Sequence, residues 1–298
     1  MLRFGTIVKS ARELQGRTLE DVADGIMSVS NLSRIENGSQ PPSWAKREAL
    51  IQKLQLSPEV LYLVTDEKEL KLFRLKHEIN QALIHERYRD AEILAAKIEK
   101  TPGIERLFQQ IVQYVRAIIM VQSGHNPTVA LEAMRNAVML SVKDCAPDKL
   151  LYQAFTFDEL GMLRNLAVAY YNAGNHDMGI DLLKSLKDYI ERRVVDSEGV
   201  STIYVITLFI LSKWVGLQGE FEMTIKLCDI GIQHCIEYNT LFSLAGLIYN
   251  KAFALSKMAR FEEALEQFQD AYHLYRAQGN MEYCRIVKQD ATMFGLDF

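Results

Sequence analysis

Six prolines and 16 glycines in 298 residues leave few places where a helix is forced to stop. The four cysteines, Cys145, Cys228, Cys235 and Cys284, show no C-x-x-C spacing, which argues against a disulfide scaffold or a compact zinc knuckle and for reduced thiols. Cys228 and Cys235 lie seven apart with His234 beside them, but zinc ligands come in tighter pairs, so no metal is expected. A charge excess is missing too. The net charge is −4; residues 1–65 hold eight basic against seven acidic side chains, so charge alone does not indicate nucleic acid. The most apolar run, residues 203–211 (IYVITLFIL), is too short to span a bilayer and is followed by Lys213. Charges come too early in MLRFGTIVKSARE for a secretory signal, so a soluble cytoplasmic protein away from membranes is expected. There is no Ser/His/Asp set, Gly-rich phosphate loop or metal cluster at useful spacing, and the six histidines are scattered; neither an enzyme nor a cofactor is expected.

What is present is helix-forming: 49% hydrophobic and 24% charged residues, rich in Leu, Ala, Glu and Lys, predicting an all-α protein with a large core. Residues 1–64 predict five short helices. The first carries an apolar stripe at Phe4, Ile7, Val8, Ala11 and Leu14 and stops at Gly16. Thr18 caps LEDVADGI, with Glu20 and Asp21 in the first turn, where the helix dipole favours them. Ser28 caps the third helix, Pro41-Pro42-Ser43 opens the fourth and Ser57-Pro58 the fifth. In the third, SNLSRIENG (30–38), Leu32 and Ile35 are spaced to face a core and Asn37-Gly38 supplies a stop.

Gly5, Val8 and Arg12, then T-L-E-D-V-A (18–23) and S-x-x-x-L-S-R-I-E-N-G (28–38), resemble the lambda-repressor or Xre type of helix-turn-helix over about 60 residues. The resemblance implies that the third helix enters the major groove of a double-stranded DNA operator. Carried over by position, Val29, Ser30, Asn31, Ser33 and Arg34 face DNA. Arg34 suits guanine, Asn31 and the serines suit bases or phosphates, and Thr18, Ser28 and Asn37 complete the expected contact set. It also implies an Arg12–Glu36 ion pair tying helix one to helix three. Leu19 stands where the family often has a phosphate-contacting Gln, and the turn before helix three is one residue short, with Gly25 displaced.

From residue 66 the pattern becomes long amphipathic helices. RYRDAEIL, GEFEMTIKL and ARFEEALEQF align on an aromatic followed three residues later by a small residue: Tyr88/Ala91, Phe221/Thr224 and Phe261/Ala264. Pro127/Ala130 and His176/Gly179 are weaker copies. The small residues recur at intervals of 39, 49, 45 and 40, each unit a helix–turn–helix in which the small residue lets two helices approach and the aromatic fills the gap beside it. A closing helix over roughly 280–294 caps the array. The expected organisation is a DNA-binding domain over 1–65 and a TPR-like right-handed α-solenoid over 66–298.

This pairing of domains resembles the RRNPP group of peptide-switched regulators, the PlcR, Rgg and NprR kind, and implies a homodimer that senses a short signalling peptide. The positions fourteen before each small residue, His77, Arg116, Asn165, Ile210 and Asn250, fall on the first helix of each pair and are expected on the concave surface. An asparagine there can donate to and accept from an extended peptide backbone, as that group's asparagines do. Lys76, Arg164, Tyr204, Phe209, Lys213 and Tyr249 are neighbouring candidates. Two readings stay open: these polar groups hold peptide, or they bond across adjacent helices while the repeats bind another protein.

Overall fold

The structure, a computed structural model, describes residues 4–56, 67–193, 198–241 and 243–298. The chain is all-α, with no strand among the described residues. Its first four helices are α1 (Phe4–Leu14), α2 (Leu19–Ala23), α3 (Val29–Glu36) and α4 (Trp44–Lys53). The fifth helix expected from Ser57-Pro58 lies outside the described residues. Two compact units are present, Met1–Leu186 and Lys187–Phe298, so the boundary expected at 65/66 falls inside the first. The four helices nevertheless share a core of their own, built on Phe4, Val8, Val22, Leu32, Ile35, Leu50 and Leu54. Leu14, expected on the α1 stripe, is 89% exposed because the helix ends there, beyond the packed surface. α2 is shorter than LEDVADGI, stopping at Ala23 before a turn in which Gly25 has φ +73°.

The remainder of the first unit contains α5 (Glu67–Ile84), α6 (Tyr88–Glu99), α7 (Arg106–Gln122), α8 (Pro127–Val138), α9 (Phe157–Asn172) and most of α10 (His176–Arg193). The second contains α11 (Glu198–Leu217), α12 (Phe221–Glu237), α13 (Leu244–Lys257), α14 (Phe261–Ala277) and the closing helix α15 (Met281–Met293). These are TPR-like helix pairs. Each of the five proposed aromatic/small motifs opens the second helix of a pair, and Ala91, Ala130, Gly179, Thr224 and Ala264 are all buried. The first residues of the motifs divide: Tyr88 and Phe221 are half-buried, whereas Pro127, His176 and Phe261 are exposed and do not fill the gap as expected. Phe261 is 44% exposed, and His176 is exposed with its ring centroid 4.3 Å from that of Tyr171 in a tilted arrangement. The longest repeat interval contains a 3-10 turn, Pro147–Tyr152, between α8 and α9.

The apolar run in α11 is longer than 203–211. Val200–Leu217 is long and apolar enough by composition to cross a membrane, yet 56% of it is buried in the protein, with α11 packed on α12 and α13. Cys228 and Cys235 are buried, and burial pushes their thiols up to about 12 and about 11. His234 bonds Ser201 Oγ at 3.0 Å and stacks on Tyr238.

Candidate nucleic-acid interface and repeat-borne ligand sites

α3 is built to present one face and anchor the other. Ser28 Oγ accepts from the Asn31 amide at 3.3 Å, capping the helix, while Leu32, Ile35 and Glu36 are buried. The Arg12 guanidinium grips Glu36 with two bonds, Nε to Oε1 at 2.7 Å and Nη2 to Oε2 at 2.8 Å, and Nη1 donates to Arg17 O at 3.1 Å. The pair expected from the resemblance is therefore present. Gly5 brings α1 against α3: a Cβ there would lie 1.8 Å from Ile35 O.

Ser28, Val29, Ser30, Arg34 and Asn37 are exposed along α3 and its caps, and Ser33 is half-buried. Asn31 departs from the expected arrangement: it is half-buried, with Oδ1 turned inward and without a partner among the described residues. Thr18 and Asp21 form a reciprocal capping box at the start of α2, Oγ1 accepting from Asp21 N at 3.1 Å and the Asp21 carboxylate accepting from Thr18 N at 2.8 Å. The Thr18 hydroxyl accepts there, so its proton remains available to a phosphate oxygen. These bonds hold the Asp21 carboxyl below the usual aspartate range. Leu19 is half-buried against the helix-turn-helix core, and its apolar side chain has no donor to offer a phosphate.

Within the first unit this core is fastened to the helices behind it by contacts between residues distant in sequence. Lys76 Nζ, on α5, donates to Glu48 of α4 at 2.8 Å and lies 2.7 Å from Asp158 of α9. Burial disfavours its charge, but Asp158 and Glu48 more than offset this and hold its pKa above the usual lysine value. The Gln52 side chain accepts from Phe157 N at 3.0 Å, and a Cβ on Gly25 would strike Ser141 O. Lys76, expected to face a peptide, is thus a buried structural cation.

The other first-unit candidates divide. His77 is exposed beside Gln81, Arg87 and Asp90, in a pocket between α5 and α6. Arg116 donates through both terminal guanidinium nitrogens to Glu99, at 2.9 and 2.7 Å, in an exposed ion pair. Asn165 Nδ2 donates to Tyr114 Oη at 2.6 Å, and Arg164 reaches only Asn165 Oδ1, at 3.4 Å. Tyr114 was missed by sequence reasoning because it falls outside the fourteen-residue register, though it shares α7 with Arg116.

In the second unit, Asn250 is 7% exposed and spends both amide protons on α11, bonding Phe209 O at 3.1 Å and Ser212 Oγ at 3.0 Å. It ties α13 to α11, the cross-helix alternative rather than an open peptide hook. Tyr204 is buried and donates to Glu191 at 2.5 Å; Tyr249 donates to Asp290. Phe209 is half-buried over Gly246, where a Cβ would lie 2.5 Å from the ring, and Ile210 is half-buried. Lys213, Tyr249 and Asn250 nevertheless line one pocket with Leu217 and Phe253, and Lys213 is exposed there.

Residues 3–62 match a family model described as a helix-turn-helix domain. No curated protein matches the chain. Among solved structures, the chain is similar to Bacillus thuringiensis PlcR in complex with the peptide PapR7 and DNA, at 18% identity and a TM-score of 0.65, over 96% of this chain and 98% of that one. Apo PlcR gives 16% identity and a TM-score of 0.62 over 95% and 97%. Aspartyl phosphate phosphatase F from Bacillus subtilis gives 12% and 0.54 over 99% of this chain and 80% of that one. The chain accordingly joins a helix-turn-helix domain to TPR-like repeats and shares its fold with PlcR.

Proposed function

We propose that the protein is a DNA-binding transcription regulator whose helical repeats bind a short signalling peptide that alters DNA affinity. The observation that carries this is α3: a capped helix locked from behind by Arg12–Glu36, presenting Ser30 and Arg34 outward within a domain matched by a helix-turn-helix model. The PlcR fold supports the second half of the reading, since PlcR has been crystallised with both peptide and DNA. The same fold also occurs in a phosphatase, so fold by itself does not decide activity. What favours regulation is the matched N-terminal helix-turn-helix domain.

The regulator acts as a cytoplasmic homodimer, two copies of α3 reading a two-fold operator. Peptide must favour one arrangement of the dimer over another to change its affinity for DNA. A second reading, in which the repeats bind another protein instead, draws support from Asn250 and Arg116, whose polar groups are already occupied within the fold. Gel-shift titration of DNA upstream of the protein's own gene, with and without short peptides encoded nearby, separates the two. A shift in DNA affinity with peptide supports the first reading. Unchanged affinity, with calorimetry detecting no peptide binding, removes it, and a stoichiometric protein partner in a pull-down then supports the second.

A further inference from the structure

Most arginines with a resolved interaction here meet a carboxylate: Arg12 meets Glu36, Arg116 meets Glu99 and Arg260 meets Glu263. Arg164 does not. It is half-buried on α9, and its only hydrogen bonds among the described residues are two contacts of 3.4 Å to the Asn165 amide oxygen, long for a charged donor. Burial draws its pKa below the usual arginine range, and the one influence opposing this is Tyr114, not an acid. Both carboxylates on the N-terminal half of α9 are committed elsewhere. Asp158 is held by Lys76, and Glu159 closes the helix cap by accepting from Thr156 N at 2.6 Å. A guanidinium withdrawn from water without an anion is unfavourable, so the native fold carries an unmet electrostatic demand at this point.

The ground in front of it is open. Gly161 stands three residues before Arg164 and so neighbours it on the same face of α9, while the guanidinium itself turns toward Asn165 and Tyr114. Nothing lies within 4 Å of where a Gly161 Cβ would be, so neither packing nor a left-handed backbone explains a glycine in the middle of α9. A helix-interior glycine costs stability relative to alanine, and close approach of another backbone is a physical reason to keep one. Beside this opening, the Asn165–Tyr114 bond fixes both polar groups at its edge.

We infer that the face of α9 around Gly161, Arg164 and Asn165 is a carboxylate-binding site, in which Arg164 receives a carboxylate of the bound peptide and the peptide backbone lies over Gly161. The site rests on the peptide-binding reading above and adds the chemistry it leaves open: the ligand is anionic at this point. The carboxylate comes from an acidic side chain or from the peptide's C-terminus, and Asn165 contributes a flanking amide.

The full chain is incubated with four pools of synthetic hexapeptides, and captured peptides are identified by mass spectrometry. One pool has free C-termini and no Asp or Glu; one is C-terminally amidated and contains Asp and Glu; one has both features and one has neither. Capture from the carboxylate-bearing pools and not from the pool with neither is the expected result, and the pool that dominates tells which source supplies the anion. Arg164→Gln should reduce capture tenfold or more, with Arg164→Lys intermediate, while the Gln variant melts no lower than the parent because it no longer buries an unneutralised charge. Capture indifferent to charge, or undiminished in Arg164→Gln, overturns the site while leaving peptide binding intact. A Gln variant that melts several degrees lower with unchanged charge preference overturns it as well. No capture from any pool overturns both this site and the peptide reading.

Discussion

Arg12 and Glu36, 24 residues apart in sequence, meet in a two-bond ion pair whose side chains are 12% and 4% exposed. The pair sets the rotation of α3 against α1 and therefore which residues of α3 look outward. Removing one partner leaves a charge enclosed, so Glu36→Ala should lower stability by about 3–5 kcal/mol. Replacing both with apolar residues of similar volume, Arg12→Met with Glu36→Leu, should recover most of that loss. Urea unfolding of the single and double variants checks this; a double variant no better than the single would show that the pair does not act as a unit.

Lys76 makes a prediction in pH. Its folded pKa lies above the ordinary lysine value, so its contribution is complete below the unfolded value of about 10.4 and is lost as pH rises through the folded one. Lys76→Met leaves Glu48 and Asp158 facing each other without their cation and should cost about 3–5 kcal/mol at neutral pH. The gap between parent and variant should stay level from pH 7 to 9 and narrow only beyond about 10.4. Denaturant midpoints across that range read it directly; a gap already closing between pH 7 and 9 would contradict the assignment.

Asn250 and Lys213 line one pocket but should respond differently to truncation. Asn250→Ala leaves the Phe209 carbonyl and Ser212 hydroxyl without their donor and should destabilise by about 1–3 kcal/mol. Lys213→Ala, at an exposed position, should leave the melting temperature within a degree or two and act only on ligand binding. Thermal unfolding of both variants tests the distinction, and the reverse order of effects would overturn it.

The head was legible because its signals are local and its chemistry is fixed by position: Thr18 and Ser28 as caps, Leu32 and Ile35 inward, Arg12 and Glu36 paired. The repeats were legible as a register, since Ala91, Ala130, Gly179, Thr224 and Ala264 are small where two helices close on each other. The polar candidates were legible as positions but not as partnerships. Asn250 and Lys76 are bound by residues 28 to 82 positions distant in sequence, and no spacing rule reports which acid or carbonyl a long-range fold delivers to them. Arg164 was the converse case. It was singled out for lying beside Asn165, whereas its meaning comes from carboxylates that the fold sends elsewhere.

Selection of bound DNA from a random duplex pool by the parent protein and by Arg34→Ala tests the reading helix most directly. The account predicts that the parent enriches a two-fold symmetric site containing a guanine in each half, and that Arg34→Ala, folded as stably as the parent, loses that guanine preference at a cost of about 1–3 kcal/mol per half-site. Enrichment of no sequence by the parent, or an unchanged site selected by Arg34→Ala, would contradict it.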